Sequence, residues 1–324
     1  MIEVVHVDRC VACGSKELRP AFAREDQRHT SLARLSGELP EGVDPAFLST
    51  FTKIGWRICE HCGVIFAGNR PPAHGCESWY LPMFKLSEER GYDVSPLPES
   101  YVRGKAAGGA VLYGVLKERG LIARGARILH IRCATGELLR LAKENDGADV
   151  WGFDFFPSCV AHANEALGED RVKLLEGPNP RISDCGVKFD LIVSNHMITH
   201  AHDPKLLALD LRGSLADGGA LVTCNEPDHA KTLKSFRSYR RGINFFHKQL
   251  FSEETFVSSM RRWGYELERI AGTGGRARKL EKYMMFICRK SEPTHGPAGS
   301  AAKSAGLLRS WERRRRVAEL LRLV

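Results

Sequence analysis

From residue 126 to residue 224, short apolar runs alternate with helical stretches at a spacing that few folds accommodate. The runs at 126–131, 149–153, 171–175, 189–193 and 220–224 are separated by helix-period segments at 138–143, 159–166 and 204–215. Strand and helix alternating at this distance require crossover helices, and so predict parallel strands in a doubly wound α/β sheet. A further helix over 100–120 is read from the spacing of Val102, Ala106, Ala110, Val111, Val115 and Leu116. After residue 224 the rhythm changes. A helix over 253–263 opens at Ser252 as N-cap and stops at Gly264, and two strands follow at 265–270 and 282–288, joined through the glycine-rich turn at 271–275. The expected end of the sheet is therefore an antiparallel pair.

Four of the ten cysteines lie in two CxxCG units, Cys10/Cys13 with Gly14 and Cys59/Cys62 with Gly63. Each unit sets two thiolates on one tight turn, and the glycine lets the chain swing back. Two such turns complete a tetrahedral four-thiolate set, the donor set of a structural Zn2+ with no position left for catalysis. His61 sits inside the second unit but is not needed as a ligand. Most of the other cysteines lie singly in apolar segments and read as small buried hydrophobes. Residues 64–72 and the aromatic pair at 79–80 lead onward, either as a lid or as packing between ribbon and sheet.

The formal charge of +9 is uneven, because residues 307–324 carry six arginines against two glutamates. What remains is mild and argues against a nucleic-acid partner. No stretch has the ~20 apolar residues of a membrane span, and the first residues lack the pattern of a secretory signal, so a cytoplasmic location is expected. By composition 291–306 reads as a flexible linker and 307–324 as a basic amphipathic helix, suited to peripheral docking on an anionic membrane or a protein. The resulting division is 1–85 for ribbon and linker, 86–290 for the α/β domain, 291–306 and 307–324.

Residues 128–139, ILHIRCATGELL, resemble the first motif of the class I S-adenosylmethionine-dependent methyltransferases, a strand and acid followed by a Gly-x-Gly-x-Gly loop that opens a helix. Only Gly136 keeps its type. His130 stands at the acidic position, and Arg132 and Ala134 stand at the first two glycines. The second element, VWGFDFFPS at 150–158, ends a strand in Asp154, placed for the ribose hydroxyls, with Phe155 beside the adenine. The acid usual after the third strand is missing at 177–179; Asp184 lies further on. The segments FDLIVSNHMITHAHDP (189–204), SLADGGALV (214–222) and FHKQLFS (246–252) are similar to those of zinc-ribbon methyltransferases acting on sugars and polysaccharides. That resemblance implies a mainly parallel, seven-stranded Rossmann-like sheet, S-adenosylmethionine held by His130, Arg132, Ala134, Gly136, Asp154, Phe155 and Asn195, and a small-molecule or glycan acceptor.

Transfer to a hydroxyl needs alignment and a base. His196 and His200, four apart at the expected start of a helix, share one face, and His247 returns over the same pocket. His196 is the first candidate for base and His247 the second, each weighed against a purely structural role. Glu226 is expected in the same crevice. Arg132 admits a steric block, a clamp on the donor's carboxylate, or a phosphate site. Three readings stand at this point: an O-directed sugar or polysaccharide methyltransferase, a degenerate methyltransferase fold serving as a non-catalytic scaffold, and a nucleic-acid-modifying enzyme.

Overall fold

The computed structural model describes residues 5–21, 55–70, 95–175, 181–234, 247–270, 283–294 and 300–320. The N-terminal strands are β1 (Val5–His6), β2 (Leu18–Pro20), β3 (Trp56–Cys59), β4 (Ile65–Ala67) and β5 (Asn69–Arg70). Then follow α1 (Glu99–Glu118), β6 (Arg127–Ile131), α2 (Glu137–Asp146), β7 (Asp149–Asp154), α3 (Pro157–Leu167), β8 (Val172–Leu174), a 3-10 turn at Ile182–Cys185, β9 (Phe189–Asn195), α4 (Pro204–Ser214) and β10 (Leu215–Pro227). The chain ends with α5 (His229–Lys234), β11 (Gln249–Leu250), α6 (Glu253–Arg262), β12 (Tyr265–Arg269), β13 (Tyr283–Lys290) and α7 (Ser300–Leu320).

Seven strands form one sheet in the order β12-β13-β10-β9-β6-β7-β8. The pairs β8–β7, β7–β6, β6–β9 and β9–β10 are parallel, as the strand–helix alternation predicts. The end of the sheet differs from a simple terminal hairpin. β13 inserts between β10 and β12 and is antiparallel to both, so β13 alone is reversed. This is the mainly parallel, seven-stranded sheet that the resemblance implies.

Alternation along β6 explains how both faces are covered. Leu129 and Ile131 join Leu207, Leu211, Phe256 and Trp263 on one face, whereas Ile128 joins Leu116, Leu138, Leu139 and Ala163 on the other. Each fully buried side chain of this size contributes about 1.5–3 kcal/mol relative to exposure. Gly152 on β7 is required by closeness: a Cβ there would lie 2.8 Å from Val172 and 2.9 Å from Leu139. α6 opens as the sequence predicts, with Ser252 Oγ accepting from Thr255 N and Thr255 Oγ1 from Ser252 N.

The N-terminal strands extend into the rest of the fold. A four-stranded sheet runs β11-β4-β3-β2, and its edge strand β11 comes from residues far beyond the ribbon. The same sheet receives α7. Leu308 is buried with Ala21, Ile58, Ile65 and Leu250, and Lys303 pairs with Glu254 at 2.7 Å. The helix thus begins inside the stretch read as linker, and it is docked rather than free. Arg309, Arg313 and Arg314 remain exposed along it. Among the described residues no helix is long and apolar enough to cross a membrane. Residues 79–80, 177–179 and 271–275, singled out in the sequence, lie outside the described residues.

Candidate functional site

The two knuckles are nearly superposable in their backbone logic. Gly14 and Gly63 both have φ of 77°, and each donates its N–H to the carbonyl of the first cysteine of its unit, Cys10 at 2.8 Å and Cys59 at 2.9 Å. Left-handed glycine folds the turn back so that the sulfurs converge. Cys10 Sγ lies 3.5 Å from Cys62 Sγ and Cys13 Sγ lies 3.6 Å from Cys59 Sγ, and all four sulfurs fall within 4.8 Å of one another. Tetrahedral zinc with Zn–S bonds of ~2.3 Å sets its sulfurs about 3.8 Å apart, so the donor set and its spacing fit such an ion. His61 is exposed and stands apart from this cluster. Trp263 Nε1 donates to the Ala12 carbonyl at 3.0 Å, tying the first knuckle to the end of α6.

The second cluster gathers at the carboxyl ends of β6, β7, β9 and β10. The loop after β6 keeps a glycine-type backbone without the glycines: φ is 60° at Arg132, 51° at Ala134 and 75° at Gly136. Left-handed conformations at non-glycine residues cost of order 1 kcal/mol each, so the loop shape is held by its surroundings. Those surroundings are specific. Asp154, buried at the end of β7, accepts from Ala134 N at 2.8 Å with one oxygen and from Phe156 N at 3.1 Å with the other. Burial raises its carboxyl pKa, and the two amides oppose that rise. Asn195 Nδ2 reaches the Arg132 carbonyl at 3.3 Å, and Asn225 Nδ2 donates to Asn195 Oδ1 at 2.8 Å. The Arg132 guanidinium lies over the Phe155 ring at 5.8 Å and donates to the His196 carbonyl at 3.1 Å. Arg132, Ala134, Asp154, Phe155 and Asn195 therefore form one connected group at the strand ends. His130 faces inward from β6, 5% exposed, with neither ring nitrogen hydrogen-bonded among the described residues.

Beside the Arg132 contact stand the histidines. His196 and His200 do not open a helix, contrary to the expectation from their spacing; they lie on a turn between β9 and α4. His196 is itself left-handed, with φ of 57°, and its N–H donates to the Cys224 carbonyl at 2.8 Å. The rings of His196, His200 and His247 meet edge-on with centroids 4.5, 4.9 and 5.0 Å apart. A fourth, His229, lies 5.4 Å beyond His247. Burial, then neighbouring charge, holds the pKa values of His196, His200 and His229 well below the usual imidazole range, so these rings are neutral near pH 7.

Glu226 corrects the sequence expectation. It does not face the crevice; it is fully buried, and its carboxylate accepts from Ile198 N, Thr199 N and Thr199 Oγ1 at 2.8, 3.1 and 2.5 Å. Its role is to hold the turn that carries His196 and His200. Asp184 is exposed on a turn fastened to α4, where Asp210 accepts from Ile182 N and Ser183 Oγ. A second set of supports leaves no sign in the sequence. Lys248 Nζ and Gln249 Nε2 donate to the carbonyls of His200, Ile198 and Ala201, and Arg70 from β5 donates to those of Ala67, His202 and Lys248. These bonds span 48 to 178 residues or close a loop locally, and no local spacing announces them.

Several solved structures resemble the chain at low identity. Magnesium protoporphyrin IX methyltransferase from Synechocystis PCC 6803, with bound SAH, is 13% identical over 68% of this chain and 98% of its own, with a TM-score of 0.45. A TehB-like SAM-dependent methyltransferase from Corynebacterium glutamicum is 21% identical over 68% of this chain and 100% of its own, at a TM-score of 0.40. An amino pentose methyltransferase from Micromonospora echinaspora, with bound SAM, is 16% identical over 64% and 96%, at 0.41. No curated protein matches the sequence significantly. The methyltransferase domain family matches residues 109–270, half of the chain and most of the sheet just described, so the chain belongs to that family and is an S-adenosylmethionine-dependent methyltransferase.

Proposed function

We propose that this methyltransferase acts on a hydroxyl of a sugar or polysaccharide precursor. The observation that supports the reading is the bond from Arg132 to the His196 carbonyl, which joins the loop after β6 to the imidazole cluster. S-adenosylmethionine, when bound, supplies an electrophilic methyl group. The residues present fit it: the left-handed loop at Arg132, Ala134 and Gly136 turns backbone toward the crevice, and Asp154 keeps a lone pair on each oxygen for the ribose hydroxyls. Arg132 offers a cation to the donor's carboxylate, Phe155 a ring face to its base, and His130 and Asn195 complete the lining.

At the acceptor end His196 is the leading proton acceptor, since its Nε2 is buried without a hydrogen-bond partner among the described residues. His247 is second, with its ring 4.9 Å away. Both need only draw a proton while the crevice aligns oxygen, methyl and sulfur. Cys10, Cys13, Cys59 and Cys62 hold a structural zinc ion in this reading, with residues 1–85 as the ribbon unit and 86–290 as the transferase unit. One observation favours a second reading, that of a non-catalytic scaffold: a bulky guanidinium and a methyl group stand where the family keeps bare glycine.

Calorimetry with S-adenosylmethionine separates the two. Measurable binding supports the enzyme, and no heat at millimolar donor gives the scaffold reading the field. Labelled-methyl transfer to nucleotide sugars and oligosaccharides then tests the acceptor class. His196→Ala is expected to abolish transfer while leaving donor binding intact.

A further inference from the structure

We propose that His196, His200 and His247 form a second metal site, for a divalent transition-metal ion of the imidazole-preferring kind such as zinc or cobalt, separate from the four-cysteine cluster.

The three side chains come from two distant segments, and their rings pack edge to face against one another. One ligand nitrogen from each lies within 4.8 Å of the others. Around an ion with metal–nitrogen bonds of 2.0–2.1 Å, three tetrahedrally disposed nitrogens sit about 3.3 Å apart. The required contraction is within reach of side-chain rotation, because the backbone is already in place. His200 and His247 are 7% and 4% exposed, and no carboxylate belongs to the trio. A donor set of three imidazoles selects borderline ions over magnesium or calcium, which take oxygen ligands.

A proton-accepting role for one imidazole does not account for three rings packed edge to edge. Gathering them buries polar nitrogens together, and His196 Nε2 has no hydrogen-bond partner among the described residues. A bound ion would give that nitrogen the partner that a buried polar atom needs. The surrounding supports resemble those that orient metal ligands elsewhere. The Glu226 carboxylate fixes the Ile198–Thr199 turn between the two upstream histidines, Lys248 Nζ holds the His200 carbonyl at 2.8 Å, and Lys248 N holds the Thr199 carbonyl at 3.1 Å.

Three protein ligands leave a coordination position open to an oxygen ligand, the arrangement of catalytic rather than structural sites. The inference stands on ring geometry and does not depend on methyl transfer. Where an ion binds, it takes the place of free imidazole as the group that draws on the acceptor's oxygen, and the acceptor end of the crevice stays where it is.

The test uses full-length protein whose cysteine cluster is loaded with zinc, dialysed free of excess metal and titrated with cobalt(II) alone. The expected result is one further equivalent of cobalt with visible d–d bands and no thiolate-to-cobalt charge transfer. His200→Ala and, independently, His247→Asn should each weaken that binding at least tenfold while zinc content stays at one per chain. Retained zinc and an unchanged far-UV spectrum show that the variants fold. Absence of the extra equivalent in wild type, or equal cobalt affinity in wild type and a folded variant, overturns the proposal. Donor calorimetry on the same samples reports the methyltransferase reading separately, so either can fail alone.

Discussion

Trp263 Nε1 donates a hydrogen bond to the carbonyl of Ala12, 3.0 Å away, although the two residues are 251 apart in the chain. Ala12 is one of the two residues between the cysteines of the first knuckle, and its own N–H points at Cys10 Sγ at 3.4 Å. Trp263 closes α6 against the main sheet and is 2% exposed. The cysteine knuckle and the transferase core are therefore one packed unit. Purified protein dialysed free of excess metal is expected to retain one zinc per chain by elemental analysis. Cys59→Ser should release it and lower the melting temperature of the whole protein in one transition, not of a separate N-terminal module. Zinc-free wild type from fresh, chelator-free preparations would remove the claim.

Asp154→Ala is expected to weaken S-adenosylmethionine binding by about 1–3 kcal/mol, the scale of lost hydrogen bonds to a charged group. The same change strips Ala134 N and Phe156 N of their acceptor. Asp154→Asn keeps one carbonyl oxygen and should fall between alanine and wild type. Calorimetry with both variants decides whether the carboxylate serves the donor or only the loop; unchanged affinity in both would assign it to the loop.

Arg132 and Ala134 occupy left-handed backbone without being glycine. Ala134→Gly should therefore stabilise the fold by about 1 kcal/mol in urea titration, against the usual direction of an alanine-to-glycine change. Arg132→Gly relieves the same strain but removes the bond to the His196 carbonyl. A gain in donor affinity in that variant would mark the native loop as sterically narrowed, and a loss would mark the guanidinium as a donor contact.

The strands were legible because burial on both faces writes continuous apolar runs, and 189–193 or 149–153 admit little else. Their ends were less so. β10 extends from Leu215 to Pro227 well beyond its apolar centre, because Leu215 still pairs with Phe189 and Glu226 with Met284. The cysteine knuckles were legible from spacing, since chelation needs local turns. The site was legible only in pieces. His196 and His200 read as helical from their four-residue separation, but the Glu226 carboxylate, 27 and 28 residues away, supplies the acceptors that bend 198–199 into a turn. Such long-range pairing leaves no periodic trace. The same holds for β11 and Arg70, whose bonds close the histidine turn from the other side of the chain.

His130 gives a prediction in pH. Burial pulls its pKa down to about 4 from 6.5, so the folded state holds it neutral where the unfolded chain protonates it. The unfolded state then binds more protons between these values, and stability must fall as pH drops from 6.5 toward 4. The loss from this residue approaches about 3 kcal/mol, at 1.36 kcal/mol for each pKa unit. His130→Leu removes the titration and two buried nitrogens that lack partners among the described residues. Urea denaturation of both proteins at pH 7 and pH 4.5 is expected to show a smaller acid loss in the variant; parallel losses would mean that His130 is hydrated in solution.

α7 supplies the last test. Its arginines suggest a free, surface-seeking tail, yet Leu308 is 2% exposed against Ala21, Ile58, Ile65 and Leu250, and Lys303 reaches Glu254. The exposed ion pair adds little, since such pairs contribute 0–1 kcal/mol. The leucine is different. Leu308→Ala should cost about 2–5 kcal/mol if the helix stays docked around the cavity, and less if it detaches. Deleting residues 300–324 should expose the apolar face of the four-stranded sheet, lower the melting temperature and raise dye binding to apolar surface. Lys303→Ala is the matched control and should change neither by much. A truncated protein as stable as the full chain would show that α7 leaves this face in solution, and the exposed Arg309, Arg313 and Arg314 would then be available to a docking partner after all.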